Sequence, residues 1–318
     1  MNRVLVGIAT PLDPGLVTEI AAVDERVEVV DAPAALSQAE VLLLGAPRDA
    51  PALEEAVRGN DRLRWVHSIW AGAGEQLAAA KLTPAELERV TVTTSAGVHA
   101  TPLGEFALFG LLAFAKGLPR LLRDQENRRW DHYAMDELRD RTLLVLGLGG
   151  IGREVVRLAS AFGMRTIGIK RTPGDVPHLD ELHPPERLRE LLPRADAVVV
   201  TLPSTEATRG LVDREALALL RPHAVFVNVG RGAVVDEHAL VDALVEGRLR
   251  GAVLDVFAQE PLPAESPLWE LPNVLLAPHT AALSVHENER IVDLFCENLR
   301  RYLRGEELRN RVDPEHYY

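Results

Sequence analysis

The stretch TLLVLGLGGIG, running from Thr142 to Gly152, decides the fold. It opens with an apolar run of the kind carried by a parallel strand covered on both faces. Gly147, Gly149 and Gly152 follow in G-x-G-x-x-G spacing, and Val155, Val156, Leu158 and Ala159 then recur as on one side of a helix. Strand, glycine turn and helix in that order suit a dinucleotide. The first glycine allows the tight turn, the second lets the backbone approach a pyrophosphate, and the third brings helix and strand together, while the helix N-terminus attracts the anion.

The same alternation of short apolar runs with helical patterns fills the chain, which marks α/β architecture. Before the glycine turn the expected strands are Val4–Ala9, Val27–Val30, Val41–Gly45, Trp65–Ile69 and Val90–Thr94. The second series is Thr142–Leu146, Arg165–Ile169, Ala197–Thr201, Ala224–Val229, Gly251–Val256 and Asn273–Ala277, with helices expected at Glu186–Leu192, Asp213–Leu220 and Glu237–Glu246. Two longer helical patterns join them. One begins near Pro102 and carries Leu103, Phe106, Ala107, Leu111 and Phe114; the other carries Ile291, Leu294, Phe295, Leu299, Tyr302 and Leu303 and is stopped by Gly305. Both series read as doubly wound sheets.

The strand after the glycine helix ends in Lys170, Arg171 and Thr172, with no carboxylate before Asp175. An NAD-specific site places an acid there, on the adenosine ribose. A cationic fork and a hydroxyl suit a 2′-phosphate instead, so NADP(H) is favoured and NAD(H) stays open.

Three residues stand just past three strand ends of the second series: Arg231, Glu260 and His279. In a parallel sheet all three project from the carboxyl edge, which also holds the glycine turn. Together they fit carbonyl reduction. Hydride arriving at a carbonyl carbon leaves an oxyanion that needs a proton, and histidine can supply it. A carboxylate beside the imidazole orients it and favours its protonated form. An arginine fork binds a substrate carboxylate. His67, His99, His178, His183 and His286 have no comparable setting in the sequence.

Composition sets limits. The 318 residues suffice for two domains, and 47% are hydrophobic. Lys and Arg total 35 against 47 Asp and Glu, a net charge of −12. Such a surface repels phosphate backbones and anionic lipid, so neither nucleic acid nor membrane is expected as partner. The single Cys296 and a first stretch that reads directly into a strand, without a signal peptide, suit a cytoplasmic protein. No metal site is expected.

Five stretches in order carry a family resemblance: Gly147–Gly152 (GLGGIG), Val227–Gly232 (VNVGRG), Leu254–Pro261 (LDVFAQEP), Asn273–His279 (NVLLAPH) and Glu297–Tyr302 (ENLRRY). The sequence resembles the D-2-hydroxyacid dehydrogenase family, especially its glyoxylate/hydroxypyruvate reductase-like branch. The resemblance implies a Rossmann cofactor domain, 99–283, inserted into a flavodoxin-like substrate domain made of 1–98 and 284–318. It implies a 2-oxo acid/D-2-hydroxy acid reaction with Arg231 as substrate anchor, Glu260 orienting His279, and His279 as acid/base. It places the cofactor against Gly147, Gly149, Gly150, Ile151, Gly152, Lys170, Arg171, Thr172, Leu202, Pro203, Thr208, Val229, Gly230 and Asp255, with Asp255 on the nicotinamide amide. The turn Trp70, Ala71, Gly72, Ala73 and Gly74 would complete the substrate carboxylate site. Family members pair through the cofactor domain, so a homodimer is expected, with the apolar helix from Leu103 to Leu112 in the interface. Two other readings fit less well. A cofactor-sensing corepressor-like protein of the same fold would not need the full trio, and a formate-type dehydrogenase would carry Gln in place of Glu260.

Overall fold

The computed structural model describes residues 3–31, 34–45, 50–70 and 80–313. The chain divides into two compact units, 1–99 with 284–318, and 100–283. His99 thus belongs with the first unit and not, as the sequence reading had it, with the second. The physical reason is its partner: His99 Nε2 lies 2.7 Å from Glu287 Oε1.

The first unit holds a five-stranded parallel sheet of β1 (Val4–Ala9), β2 (Val27–Asp31), β3 (Val41–Leu44), β4 (Trp65–Ser68) and β5 (Thr91–Thr94), in the order β2-β1-β3-β4-β5. This is the flavodoxin-like doubly wound order. Val90, expected to open β5, instead caps the helix Pro84–Arg89, because Thr83 and Glu86 form a capping box that pulls the preceding residues into helix. The helix Glu287–Arg304 returns to this unit. Its apolar stripe, with Ile291, Val292, Phe295 and Leu299, packs against Val4, Val6, Ile20 and Trp65, and Phe295 stacks on the Trp65 ring at 5.0 Å. Gly305, at φ 68°, ends it in the left-handed conformation that a side chain resists.

The second unit carries β6 (Thr142–Leu146), β7 (Arg165–Ile169), β8 (Glu181–His183), β9 (Ala197–Val200), β10 (Val225–Asn228), β11 (Gly251–Leu254) and β12 (Val274–Leu276). All pair in parallel, in the order β12-β11-β10-β9-β6-β7-β8. The order reverses between β6 and β9, which opens a crevice at the carboxyl edge there. β8 was not foreseen from the sequence. It is three residues long, none fully buried, and pairs only with β7. The segment expected as one helix at Glu186–Leu192 divides into a 3-10 turn, a short α-helix at Leu188–Leu191 and a further 3-10 turn containing Pro193. Proline has no N–H to continue the α-helical ladder.

The helix Ala100–Ala115 starts two residues before Pro102, leaving that proline in the first turn. Leu103, Ala107, Leu108, Leu111 and Phe114 are buried within their own unit. Its segment from Leu103 to Leu112 is the one expected in a homodimer interface. Most of its circumference is in fact covered, and Phe109 is the large side chain left 49% exposed. No helix among the described residues is long and apolar enough to cross a membrane.

Candidate active site

The glycine turn occupies the crevice of the second sheet. Gly147 has φ 98°, a conformation open to glycine. A Cβ on Gly152 would lie 1.9 Å from the Gly147 carbonyl oxygen, so any side chain there would push helix and strand apart. A Cβ on Gly149 meets nothing within 4 Å, and Gly149 and Gly150 are exposed at the start of the helix Gly150–Ala161. The open face and the N-terminal N–H groups fit a pyrophosphate. Two supports escaped the sequence reading. Thr201 Oγ1 donates to the Gly147 carbonyl at 2.8 Å, and Arg153 Nε donates to the Leu148 carbonyl at 3.2 Å. Neither has a motif of its own; each is recognisable only once β6 and β9 are known to be neighbours, or the helix start is fixed.

Leu202 reaches both Gly147 and Gly230. A Cβ on Gly230 would lie 2.7 Å from the Leu202 carbonyl oxygen, so these two loops meet backbone to backbone. Thr208 Oγ1 donates to the Pro203 carbonyl at 2.6 Å and closes the loop after β9. Val229 is buried and its N–H donates to the Val200 carbonyl at 3.1 Å. Lys170 follows β7, its N–H bound to the His183 carbonyl at 3.1 Å, while Arg171 and Thr172 are exposed beyond it.

The turn after β10 presents Arg231. Asn228 shapes it from both sides, its Oδ1 accepting from Gly230 N–H and its Nδ2 donating to the Arg231 carbonyl, each at 3.1 Å. Arg231 Nη1 donates to the Gly230 carbonyl at 2.8 Å, and among the described residues Arg231 has no carboxylate partner. Asn228 lies in the VNVGRG stretch, and only these bonds reveal its supporting role.

Glu260 and His279 meet. His279 Nδ1 lies 2.7 Å from Glu260 Oε2, and Glu260 Oε1 accepts the Phe257 N–H at 3.0 Å. An ionised carboxylate only accepts, so Nδ1 carries the proton and Nε2 is left to exchange one with a ligand. His279 has φ 52°, in the left-handed region that side chains disfavour. Asp255 holds that backbone in place: its Oδ1 accepts from Thr280 N–H at 2.9 Å and Ala281 N–H at 3.0 Å. Asp255 is 1% exposed, and burial pushes its carboxyl above the ordinary range.

A carboxylate partner does not by itself distinguish His279. His99 pairs with Glu287, His183 with Glu181 at 3.0 Å, and His286 with Glu289 at 2.9 Å. His99 and Glu287 are 188 positions apart, which explains why no local reading finds them. What separates His279 is its place, at the carboxyl edge that also holds the glycine turn.

Trp70 follows β4, its carbonyl accepting from Ser95 N–H at 3.3 Å, and its indole Nε1 is buried without an acceptor among the described residues. Ala71, Gly72, Ala73 and Gly74 lie outside the described residues.

Residues 108–281 match the family described as D-isomer specific 2-hydroxyacid dehydrogenase, NAD binding domain. Among curated proteins, D-3-phosphoglycerate dehydrogenase of Methanocaldococcus jannaschii is 35% identical over 227 residues, covering 70% of this chain and 43% of that longer protein. Among solved structures, the D-isomer specific 2-hydroxyacid dehydrogenase of Xanthobacter autotrophicus Py2, in complex with NADPH and MES, superposes with a TM-score of 0.84 at 31% identity over 100% of both chains. The NADPH-dependent glyoxylate/hydroxypyruvate reductase of Sinorhizobium meliloti, in complex with NADP and sulfate, gives 0.82 at 27% identity over 99% of this chain and 100% of that one.

Proposed function

The chain belongs to the D-isomer specific 2-hydroxyacid dehydrogenase family, NAD(P)-dependent enzymes, and from that premise we propose that it reduces a small 2-oxo acid of the glyoxylate/hydroxypyruvate kind to its D-2-hydroxy acid with NADPH. The observation that carries the reading is the Glu260–His279 pair at 2.7 Å on the edge that holds the glycine turn.

When bound, the nicotinamide supplies the hydride to the carbonyl carbon. The chain's own residues do the rest. Arg231, with no carboxylate partner among the described residues, takes the substrate carboxylate through its guanidinium fork. His279 gives its Nε2 proton to the carbonyl oxygen as negative charge develops there, and takes it back in the reverse direction. Glu260, fixed by Phe257 N–H, keeps the imidazole in the orientation that presents Nε2. Asp255 offers its second oxygen to the nicotinamide amide. Gly147 to Gly152 hold the pyrophosphate, and Lys170, Arg171 and Thr172 read the 2′-phosphate. Val229, Gly230, Leu202, Pro203 and Thr208 complete the cofactor wall, and the turn from Trp70 to Ala73 receives the substrate. The preference for NADP(H) is supported by the bound cofactors of the Xanthobacter and Sinorhizobium structures. A homodimer through the cofactor unit is part of the same reading.

Measuring the oxidation of NADPH and NADH with glyoxylate, hydroxypyruvate, pyruvate and phenylpyruvate tests the reading. Turnover with NADPH and the smaller acids is expected; no turnover with any of the four would sink it.

A further inference from the structure

Between the Arg231 turn and the Glu260 turn lies one peptide group, Phe257–Ala258, and its surroundings leave it little freedom. A Cβ on Gly232 would lie 1.9 Å from the Phe257 carbonyl oxygen, 2.0 Å from its carbon and 2.6 Å from Ala258 N. The turn that presents Arg231 therefore lies flat against this peptide. Its own Ala258 N–H donates to Glu237 Oε2 at 2.8 Å, and the N–H of Phe257, in the peptide just before it, donates to Glu260 Oε1 at 3.0 Å. Glu237 is itself fixed. It opens the helix Glu237–Val245, whose start is capped by Asp236 Oδ1 accepting from Ala239 N–H at 3.0 Å, and a carboxylate in a first turn suits the helix macrodipole.

We propose that Glu237 and Gly232 are positioning residues that act through the Phe257–Ala258 peptide, holding the substrate anchor Arg231 in register with the Glu260–His279 pair. The proposal rests on the reading of those three residues given above. If the peptide moves, Phe257 turns with it, the adjoining N–H that fixes the Glu260 carboxylate shifts and the Arg231 turn loses its floor, so proton delivery and carboxylate binding are damaged together. The glycine turn that would hold the pyrophosphate follows β6, away from this peptide, so cofactor binding should suffer less than turnover.

Glu237→Ala removes the acceptor, whereas Glu237→Gln keeps an amide oxygen for the same N–H. Glu237→Ala is expected to lose about tenfold in kcat and to raise KM for the oxo acid, the scale of a misplacement well below 1 Å. Glu237→Gln should recover to within about twofold of the parent, an amide acceptor keeping most of a bond whose net worth is modest. NADPH affinity, read by its fluorescence, should change by much less than kcat in both. Gly232→Ala should be more damaging, in kcat and KM alike; should it not fold, the two Glu237 variants decide. A readout independent of turnover is the ¹⁵N resonance of His279 Nδ1, assigned against His279→Asn. It should move in Glu237→Ala and return in Glu237→Gln, and it reports the positioning even if the chain reduces no oxo acid. Parent-like kinetics and a parent-like resonance in Glu237→Ala, or Gln no better than Ala, would overturn the proposal.

Discussion

Glu260 Oε2 stands 2.7 Å from His279 Nδ1 while the other oxygen of the same carboxylate is taken up by the Phe257 N–H at 3.0 Å. With both oxygens engaged, the group cannot turn without breaking one bond. A glutamine has one acceptor and one donor, so in Glu260→Gln either the backbone N–H or the Nδ1–H faces an amide NH₂. The variant is expected to lose at least about tenfold in kcat, within the range for general acid–base groups, with NADPH affinity unchanged. Paired kcat and fluorescence titrations check this, and full activity would show that the imidazole needs no orienting acid.

Arg171 is expected to read the 2′-phosphate. A charge-assisted contact of that kind contributes about 1.5–3 kcal/mol, so Arg171→Ala should weaken NADPH by roughly ten- to a hundred-fold and NADH far less. Dissociation constants for both cofactors decide it. Equal losses would mean that Arg171 serves some other purpose.

Protein stability should depend on His67, fully buried on β4. Trp65 Nε1 donates to Thr93 Oγ1 at 2.8 Å, and Ser95 Oγ donates to the Ser68 carbonyl at 3.1 Å. Thr93 is then free to donate to His67 Nδ1 at 2.7 Å, and His67 Nε2–H to donate to Ser95 Oγ at 3.1 Å. The chain of donors is satisfied by neutral imidazole, and burial lowers the His67 pKa to about 3. The unfolded chain therefore binds the extra proton first. This contribution is intact above the ordinary histidine range and is lost as pH falls from about 6.5 toward 3, by at most about 1.4 kcal/mol per pH unit. His67→Gln can keep the donor chain without titrating, so its stability relative to the parent should improve between pH 7 and pH 4.5 in urea unfolding. A difference that does not change with pH would contradict this.

The exposed Phe109 ring, 6.2 Å from Phe106, is the expected centre of a homodimer contact. Light scattering should give twice the single-chain mass for the parent and a concentration-dependent fall toward one chain in Phe109→Asp. A monomeric parent at micromolar concentration would remove the dimer from the account.

Much of this architecture is legible in the sequence because buried parallel strands announce themselves. β1, β6 and β7 run as expected to the residue, each being an apolar run bounded by polar or turn residues. β8 is not legible: Glu181 and His183 flank a single apolar residue, and its strand character comes from β7 alone. The trio could be found because each residue lies in the loop that follows a readable strand, Arg231 after β10, Glu260 after β11 and His279 after β12. Their supports could not. Asn228, Thr201 and Glu237 are ordinary polar residues until the fold brings their strand ends and helix start together, and Asp255, which the resemblance sets on the nicotinamide, also fixes the backbone beyond His279. The turn from Ala71 to Gly74, expected at the substrate, lies outside the described residues.

In the proposed reaction His279 supplies the proton and takes no part in holding the cofactor. Turnover of NADPH with glyoxylate or hydroxypyruvate, measured beside NADPH binding in His279→Ala, tests it most directly. In that variant kcat is expected to fall by about 10²–10⁴ with the NADPH dissociation constant unchanged to within about twofold. A variant that turns over like the parent, or one whose loss follows weakened NADPH binding, would contradict it.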